Sequence, residues 1–241
     1  MRLVDLVPAI AATWPAATLH RAGPFTLPEG AGGGQRVSAA RLSDPLARDA
    51  DEKQIETALT GLAQIGQAPL FLVLDHQTEL DARLAARGFD RRDATLALTI
   101  ACDQIAAAPP PVTVFPVWPP LAIQAEIWAA GGIEPARLEV MARAAGPKIS
   151  FLGRVADRPA GCAFVAVHDG IAMLHALEVS PPFRRRGLAR VMMCAAADWA
   201  IAHGAHSLSV LVTHANHDAR GLYASLGFAA VGQYHYRSLI A

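Results

Sequence analysis

The sequence predicts an α/β (α+β) fold: a mixed, mostly antiparallel sheet flanked by helices, with a second, smaller α/β lobe at the N-terminal end. Three observations predict it. Apolar residues recur at helical spacing between Gly187 and Gly204. Three strand-like runs precede that helix and are joined by short turns. A proline run, Ala106-Ala-Ala-Pro-Pro-Pro111, divides the chain, because consecutive prolines lack amide donors and favour an extended conformation over a packed element. The expected organisation is an N-terminal α/β lobe over residues 1–105, a linker at 106–111 and a larger unit over 111–241.

The elements follow in order. A proline- and glycine-punctuated opening, with Gly23-Pro24 and Gly30-Ala-Gly-Gly-Gly34, leads to a helical pattern from Ala50 to Gln64 and a short apolar strand, Leu70–Leu74. A helix at Thr78–Arg87, a Gly88-Phe89 stop and an alternating strand near Ala94–Ile100 complete the first lobe. Beyond the linker, Val112–Phe115 reads as a strand, followed by helices at Ala122–Ala130 and Glu134–Ala145 on either side of Gly131-Gly132. Strands at Ser150–Ala156, Gly161–Val167 and Ile171–Val179 are joined by turns at Asp157–Pro159 and His168–Gly170. In the helix from Gly187 to Gly204, Leu188, Val191, Met192, Ala195, Trp199 and Ala202 form the apolar stripe and Gly204 the C-cap. A strand at Ser207–Val212, a helix at Asn216–Leu226 and a strand near Val231–Ile240 end the chain.

Composition narrows the function. Of the 241 residues 53% are apolar, enough for a substantial core. Acidic and basic residues balance at 21 each, so no overall field holds a nucleic acid or an anionic membrane, and only a local basic patch would bind anions. The three cysteines, Cys102, Cys162 and Cys194, form no CxxC pair, which argues against a disulfide framework and a zinc site and for a reducing, cytoplasmic setting. The histidines lack partners at ligand spacing, so no metal is expected. The uncharged run Ile105–Ala125 is broken by six prolines and cannot be a membrane helix, and Asp5, Pro8 and Pro15 interrupt any signal-peptide pattern.

The segment Leu177-Glu-Val-Ser-Pro-Pro-Phe-Arg-Arg-Arg-Gly-Leu-Ala-Arg190 carries the most chemistry. A strand runs through a basic, glycine-containing turn directly into a helix. The first helical amides have no intrahelical acceptors and sit at the positive end of the helix dipole, which favours a phosphate at the turn. Gly187 allows close approach of the backbone, Ala189 adds little bulk, and Arg184, Arg185 and Arg186 supply positive charge. The chain has no P-loop lysine motif, and Gly30–Gly34 lacks the spacing of a dinucleotide fingerprint.

Arg184-x-x-Gly187-x-Ala189, preceded by Val179-x-Pro181, resembles the Q/R-x-x-G-x-G/A pyrophosphate loop of the GNAT superfamily of N-acetyltransferases. Downstream, Asn216-x-x-Ala219-x-x-Leu222-Tyr223-x-x-x-Gly227-Phe228 is similar to the family's tyrosine-bearing helix. The resemblance covers Pro111 to Ala241 and implies a GNAT-type sheet that uses acetyl-CoA as cosubstrate and a small amine or peptide as acceptor, with no metal, nucleic acid or membrane partner. A homodimer is compatible with it. On these residues, it implies that Arg184, Arg185, Arg186, Gly187, Leu188, Ala189 and Arg190 surround the pyrophosphate. Leu177 and Val179 then hold the pantetheine, with Asn216 and Tyr223 beside the coenzyme.

Direct transfer needs a neutral amine, a donor for the carbonyl oxygen and a proton for the leaving thiolate. Tyr223 is the expected acid, since a phenol with its reference pKa of about 10 is protonated at neutral pH. An alkyl amine is protonated there, so a base is needed, and His175 and Glu178 on the 171–179 strand are the candidates. Strict alternation puts them on opposite faces and a β-bulge would change that. The alternative class is a non-catalytic acetyl-CoA-binding sensor. In the N-terminal lobe, Leu84-Ala-Ala-Arg-Gly88-Phe89 echoes Leu222-Tyr-Ala-Ser-Leu-Gly227-Phe228, which hints at a degenerate acetyltransferase-like lobe. This lobe is expected to form one wall of the acceptor pocket, with Gln35, Arg36 and Ser38 beside the Gly30–Gly34 loop offering donors to a carboxylate-bearing amine.

Overall fold

The computed structural model describes residues 1–239. The expected extension of the last strand to Ile240 lies outside the described residues. Helix α1 (Leu3–Thr13) forms in the opening despite Pro8, with Leu3, Leu6, Ala9 and Thr13 buried along one face. Hairpin strands β1 (Thr18–Ala22) and β2 (Phe25–Glu29) meet at the two-residue turn Gly23-Pro24, where Gly23 takes a φ of 57°. Strand β3 (Arg41–Leu42) completes a three-stranded sheet with them.

Helix α2 (Glu52–Gln64) opens on a capping box: Asp51 accepts from the Gln54 amide at 2.8 Å, and Gln54 accepts from the Asp51 amide at 2.9 Å. Strand β4 (Leu70–Leu74), helix α3 (Thr78–Ala86) and strand β5 (Asp90–Ala101) follow. Strand β6 (Val114–Val117) starts later than expected. Residues 110–113 are tied in a turn by the Thr113 hydroxyl donating to the Pro110 carbonyl at 2.6 Å, and Val112 has a φ of 56°. Helices α4 (Ala122–Ala130) and α5 (Pro135–Arg143) lead into strands β7 (Lys148–Val155), β8 (Arg158–His168) and β9 (Ile171–Val179). The first of these turns lies at Ala156-Asp157, both at positive φ, rather than at Asp157–Pro159, so Pro159 falls inside β8. Helix α6 (Leu188–Ala202), strand β10 (Ser207–Thr213), helix α7 (His217–Leu226) and strand β11 (Ala229–Ser238) end the fold.

The main sheet has eight strands in the order β4-β11-β5-β10-β9-β8-β7-β6, antiparallel throughout except for the parallel pair β9–β10. Helices α1 and α4 cover one face around Trp14, Trp128, Leu152 and Phe164. Helix α6 covers the other, where its alanines Ala196, Ala197 and Ala200 are fully buried and allow close approach to the sheet.

The strand order interlocks the two ends of the chain. Each of β4-α3-β5 and β10-α7-β11 is a strand–helix–strand unit whose two strands are not neighbours. Strand β5 fills the gap between β10 and β11, and β11 fills the gap between β4 and β5. Helices α3 and α7 end alike, at Gly88 (φ 82°) and Gly227 (φ 90°), with the following phenylalanine amide bonded back to Leu84 and Tyr223 respectively. A clamp reinforces the interlock: Asp81 on α3 accepts from His235 at 2.6 Å and from Arg237 at 2.7 and 3.0 Å, both on β11.

Candidate active site

The parallel pair β9–β10 is where the sheet opens. Pairing runs from Ile171↔Ser207 to Leu174↔Val210 and ends there. Beyond it, β10 keeps its pairing with β5 as far as Thr213, while β9 stays with β8. A bulge causes the divergence. Between the pairs Phe164↔His175 and Cys162↔Glu178, β9 holds two residues against one on β8, and Ala176 takes a φ of 53°. The Trp128 indole donates to the Ala176 carbonyl at 2.7 Å and fixes this kink from α4.

The bulge also settles which face His175 and Glu178 share. Phe164 and Cys162 both point into the cluster beneath α4, and residues opposite one another on paired strands share a face. His175 and Glu178 therefore point to the same side, which simple alternation would forbid. Glu178 is half-buried, takes a 3.1 Å bond from Arg184 and lies against Gly131, where an added Cβ would fall 2.7 Å from its carboxyl carbon.

The basic turn leaves β9 through a 3-10 turn at Pro181–Phe183 and enters α6 at Gly187, whose φ of 81° suits glycine. A Cβ at Gly187 would meet nothing within 4 Å, so the backbone there faces open space. The first bond of α6 runs from the Val191 amide to the Gly187 carbonyl, leaving the amides of Leu188, Ala189 and Arg190 without an intrahelical acceptor. Arg185 and Arg186 are exposed beside them. Arg184 folds back instead and donates to the Val179 carbonyl at 2.9 Å, pinning the turn to the strand. Arg190 reaches the Ser225 carbonyl at 3.4 Å, near the end of α7.

Tyr223 on α7 is buried, 5% exposed, with its ring 5.5 Å from Phe228. Burial pushes its phenol up to about 12, and among the described residues its hydroxyl has no hydrogen-bond partner. Asn216 caps the helix by accepting from the Ala219 amide at 3.1 Å.

His175 is buried against Trp14 at a ring separation of 4.9 Å, and both its nitrogens are engaged. Arg36 donates to Nδ1 at 3.3 Å, which makes Nε2 the protonated nitrogen. That nitrogen donates to the Thr13 hydroxyl at 3.0 Å, and the Thr13 hydroxyl donates in turn to the Ala9 carbonyl at 2.7 Å. Burial, and then the Arg36 charge, hold the imidazole well below its ordinary pKa.

Where β9 and β10 part, a cavity of about 470 Å³ opens on the α1 side of the sheet. His175 and Ala176 of β9, Leu211 and Thr213 of β10, Asp93 and Thr95 of β5, and Tyr234 and Tyr236 of β11 form its walls, and Gly33–Arg36 and Arg137 close it. The glycine-rich loop thus meets His175 at one cavity, whereas Glu178, Tyr223 and the Arg184–Ala189 turn lie outside its lining. Sequence reasoning did not single out Arg137, Asp93, Thr95, Tyr234 or Tyr236. The alternation Tyr234-x-Tyr236 at the end of a strand was the one available signal. Among the described residues no group of histidine, cysteine, aspartate or glutamate is arranged to hold a metal ion, and no helix is long and apolar enough to cross a membrane.

The sheet thus parts at one parallel strand pair, and a glycine-entered helix start lies at the end of the parting strand. Residues 118–228 match the Acetyltransferase (GNAT) family, so this part of the chain is a GNAT acetyltransferase domain. Solved structures share the fold over almost the whole chain. A GCN5-related N-acetyltransferase from Kribbella flavida superposes with a TM-score of 0.72 at 17% identity, covering 99% of this chain and 95% of that one. A functionally unknown conserved protein from Staphylococcus epidermidis gives 0.70 at 11% identity, with 97% of each chain covered. A tandem GNAT protein from the clavulanic acid biosynthesis pathway gives 0.60 at 17% identity, covering 97% of this chain and 86% of that one. A search of curated proteins found no match.

Proposed function

We propose that the protein is an acetyl-CoA-dependent N-acetyltransferase acting on a primary amine by direct transfer. The observation that carries this reading is the loss of β9–β10 pairing beyond Leu174 on the same strand that feeds an open, glycine-entered helix start. The residues there fit the coenzyme. Free amides of Leu188, Ala189 and Arg190, with Arg185 and Arg186 beside them, suit its pyrophosphate, and the β9 edge at Leu177 and Val179, released from β10, suits its pantetheine amides. Acetyl-CoA, when bound, supplies a thioester carbon open to an amine.

The protein's own groups then manage protons. Tyr223 keeps its proton at neutral pH and donates it from the phenolic oxygen to the leaving sulfur. Glu178, on the same face of β9 as His175 and held by Arg184, takes the proton from the amine through a water. His175 is a poor base: its Nδ1 lone pair already accepts from Arg36, and a protonated ring would stand beside a guanidinium. We assign it the role of positioning Arg36.

The test is thiol release from acetyl-CoA with panels of amines, amino acids, polyamines, aminoglycosides and peptides. Turnover with one class is expected, reduced about a hundredfold in Tyr223→Phe with unchanged coenzyme affinity. Equal rates for both proteins remove Tyr223 as the acid, and coenzyme binding without turnover on any class favours a sensor.

A further inference from the structure

We infer that the acceptor carries a carboxylate as well as its amine, and that Arg36 and Arg137 hold this carboxylate in the cavity beside His175. The inference rests on the acetyltransferase reading for the identity of the amine partner, but the anion site itself stands on the following geometry.

Arg36 sits where the glycine-rich loop meets β9. Its Nε is shielded from solvent and has no hydrogen-bond partner among the described residues, and no carboxylate there pairs with it. Its neighbours are the neutral His175 ring, reached through one terminal nitrogen, the hydroxyls of Tyr234 and Tyr236, and the face of Trp14 at 5.9 Å. A guanidinium is always charged, and withdrawing one from water is costly unless an anion and full hydrogen bonding offset it. None of its protein contacts supplies that anion.

The second guanidinium faces the same space. Arg137, on α5, lies over Gly34, where an added Cβ would come within 3.4 Å of its Nε and one terminal nitrogen. Gly34 holds a φ of 93° and leaves the approach clear. Among the described residues Arg137 makes no ion pair. Two guanidinium groups without an ion-pair partner among the described residues, converging on one cavity, form a site for a planar anion, and a carboxylate has that shape. The volume, about 470 Å³, suits a small molecule rather than a folded chain. Of the lining residues only Asp93 is acidic, and its side chain is exposed.

The experiment compares amino acids with their carboxamides and with the amines lacking the carboxyl group, using the full chain. Acceptor binding is read by calorimetry and turnover by thiol release. The acid is expected to surpass its carboxamide about ten- to hundredfold in kcat/KM and in affinity. Arg137→Ala is expected to abolish this preference with acetyl-CoA affinity unchanged, and Arg36→Gln to do the same if it folds. The inference is overturned if carboxamides serve as well as acids, if the preference survives Arg137→Ala, or if amino acids neither bind nor react. Failure of the acetyltransferase reading looks different: amino acids then bind in an Arg137-dependent way with no thiol release from any amine.

Discussion

Replacing Ile100 by alanine tests the interlock of the two ends of the chain. Ile100 lies on β5, which precedes the proline run, yet it is only 5% exposed and packs in the cluster beneath α6 with Leu208 and Tyr223. On β5 it is paired with Leu208 of β10. Truncating a buried isoleucine to alanine costs about 3 kcal/mol through lost transfer energy and an unfilled cavity. Against a total stability of roughly 5–15 kcal/mol, and with about 2–4 °C of melting temperature per kcal/mol for a chain of this size, the midpoint should fall by about 10 °C. Because β5 is a central strand between β10 and β11, the loss should spread over both ends of the chain. Hydrogen exchange read peptide by peptide checks this: amides of β4 and of β10 should lose protection together in Ile100→Ala. If exchange rises in β4 and α3 while α6, β10 and β11 keep their protection, the ends fold independently and the interlock carries no cooperativity.

Three further outcomes follow from the site and the clamp. His175→Gln should raise KM for the acceptor while kcat and the pH profile of kcat stay unchanged, since His175 positions Arg36; loss of a limb of that profile would make it a base after all. Gly131→Ala brings a methyl within 2.7 Å of the Glu178 carboxyl carbon, so kcat should fall with coenzyme affinity intact; unaltered kcat removes Glu178 from the proton path. For Asp81, burial alone would raise the carboxyl, but hydrogen bonds from Arg237 and His235 outweigh it and the pKa lies below the usual carboxylate range. A depressed carboxyl adds stability above that range and loses it as pH falls through the lowered value. Asp81→Asn should therefore be less stable at neutral pH, by about 2 kcal/mol, and lose less on acidification below about pH 4 than the parent protein.

What the sequence made legible was local. The turn into α6 and the capped helix with Tyr223 are written in consecutive residues, where a glycine at positive φ, an Asn216 cap and a Gly227 stop have fixed spacing. The helical periods of α2, α3, α4 and α6 were equally plain because each buries one face. Helix α1 was hidden by Pro8. The bulge at Ala176 has no residue signature, and it alone turns the odd spacing of His175 and Glu178 into a shared face. The cavity beside His175 was least legible, since residues from β5, β9, β10, β11, α5 and the glycine-rich loop converge only through long-range pairing. The proline run suggested separable lobes, but such a boundary in sequence says nothing about where β5 pairs once the chain is folded.

Calorimetric titration of acetyl-CoA into the 241-residue chain, beside the double substitution Arg185→Glu and Arg186→Glu, tests the central claim most directly. Both arginines are exposed and make no ion pair among the described residues, so reversing their charge leaves the fold's contacts in place. The account predicts one site per chain for acetyl-CoA and for CoA, weakened at least tenfold by the reversal, as expected when charge-assisted phosphate contacts of about 1.5–3 kcal/mol are lost. Absence of binding by the parent protein, or equal affinity in the charge-reversed one, would contradict it.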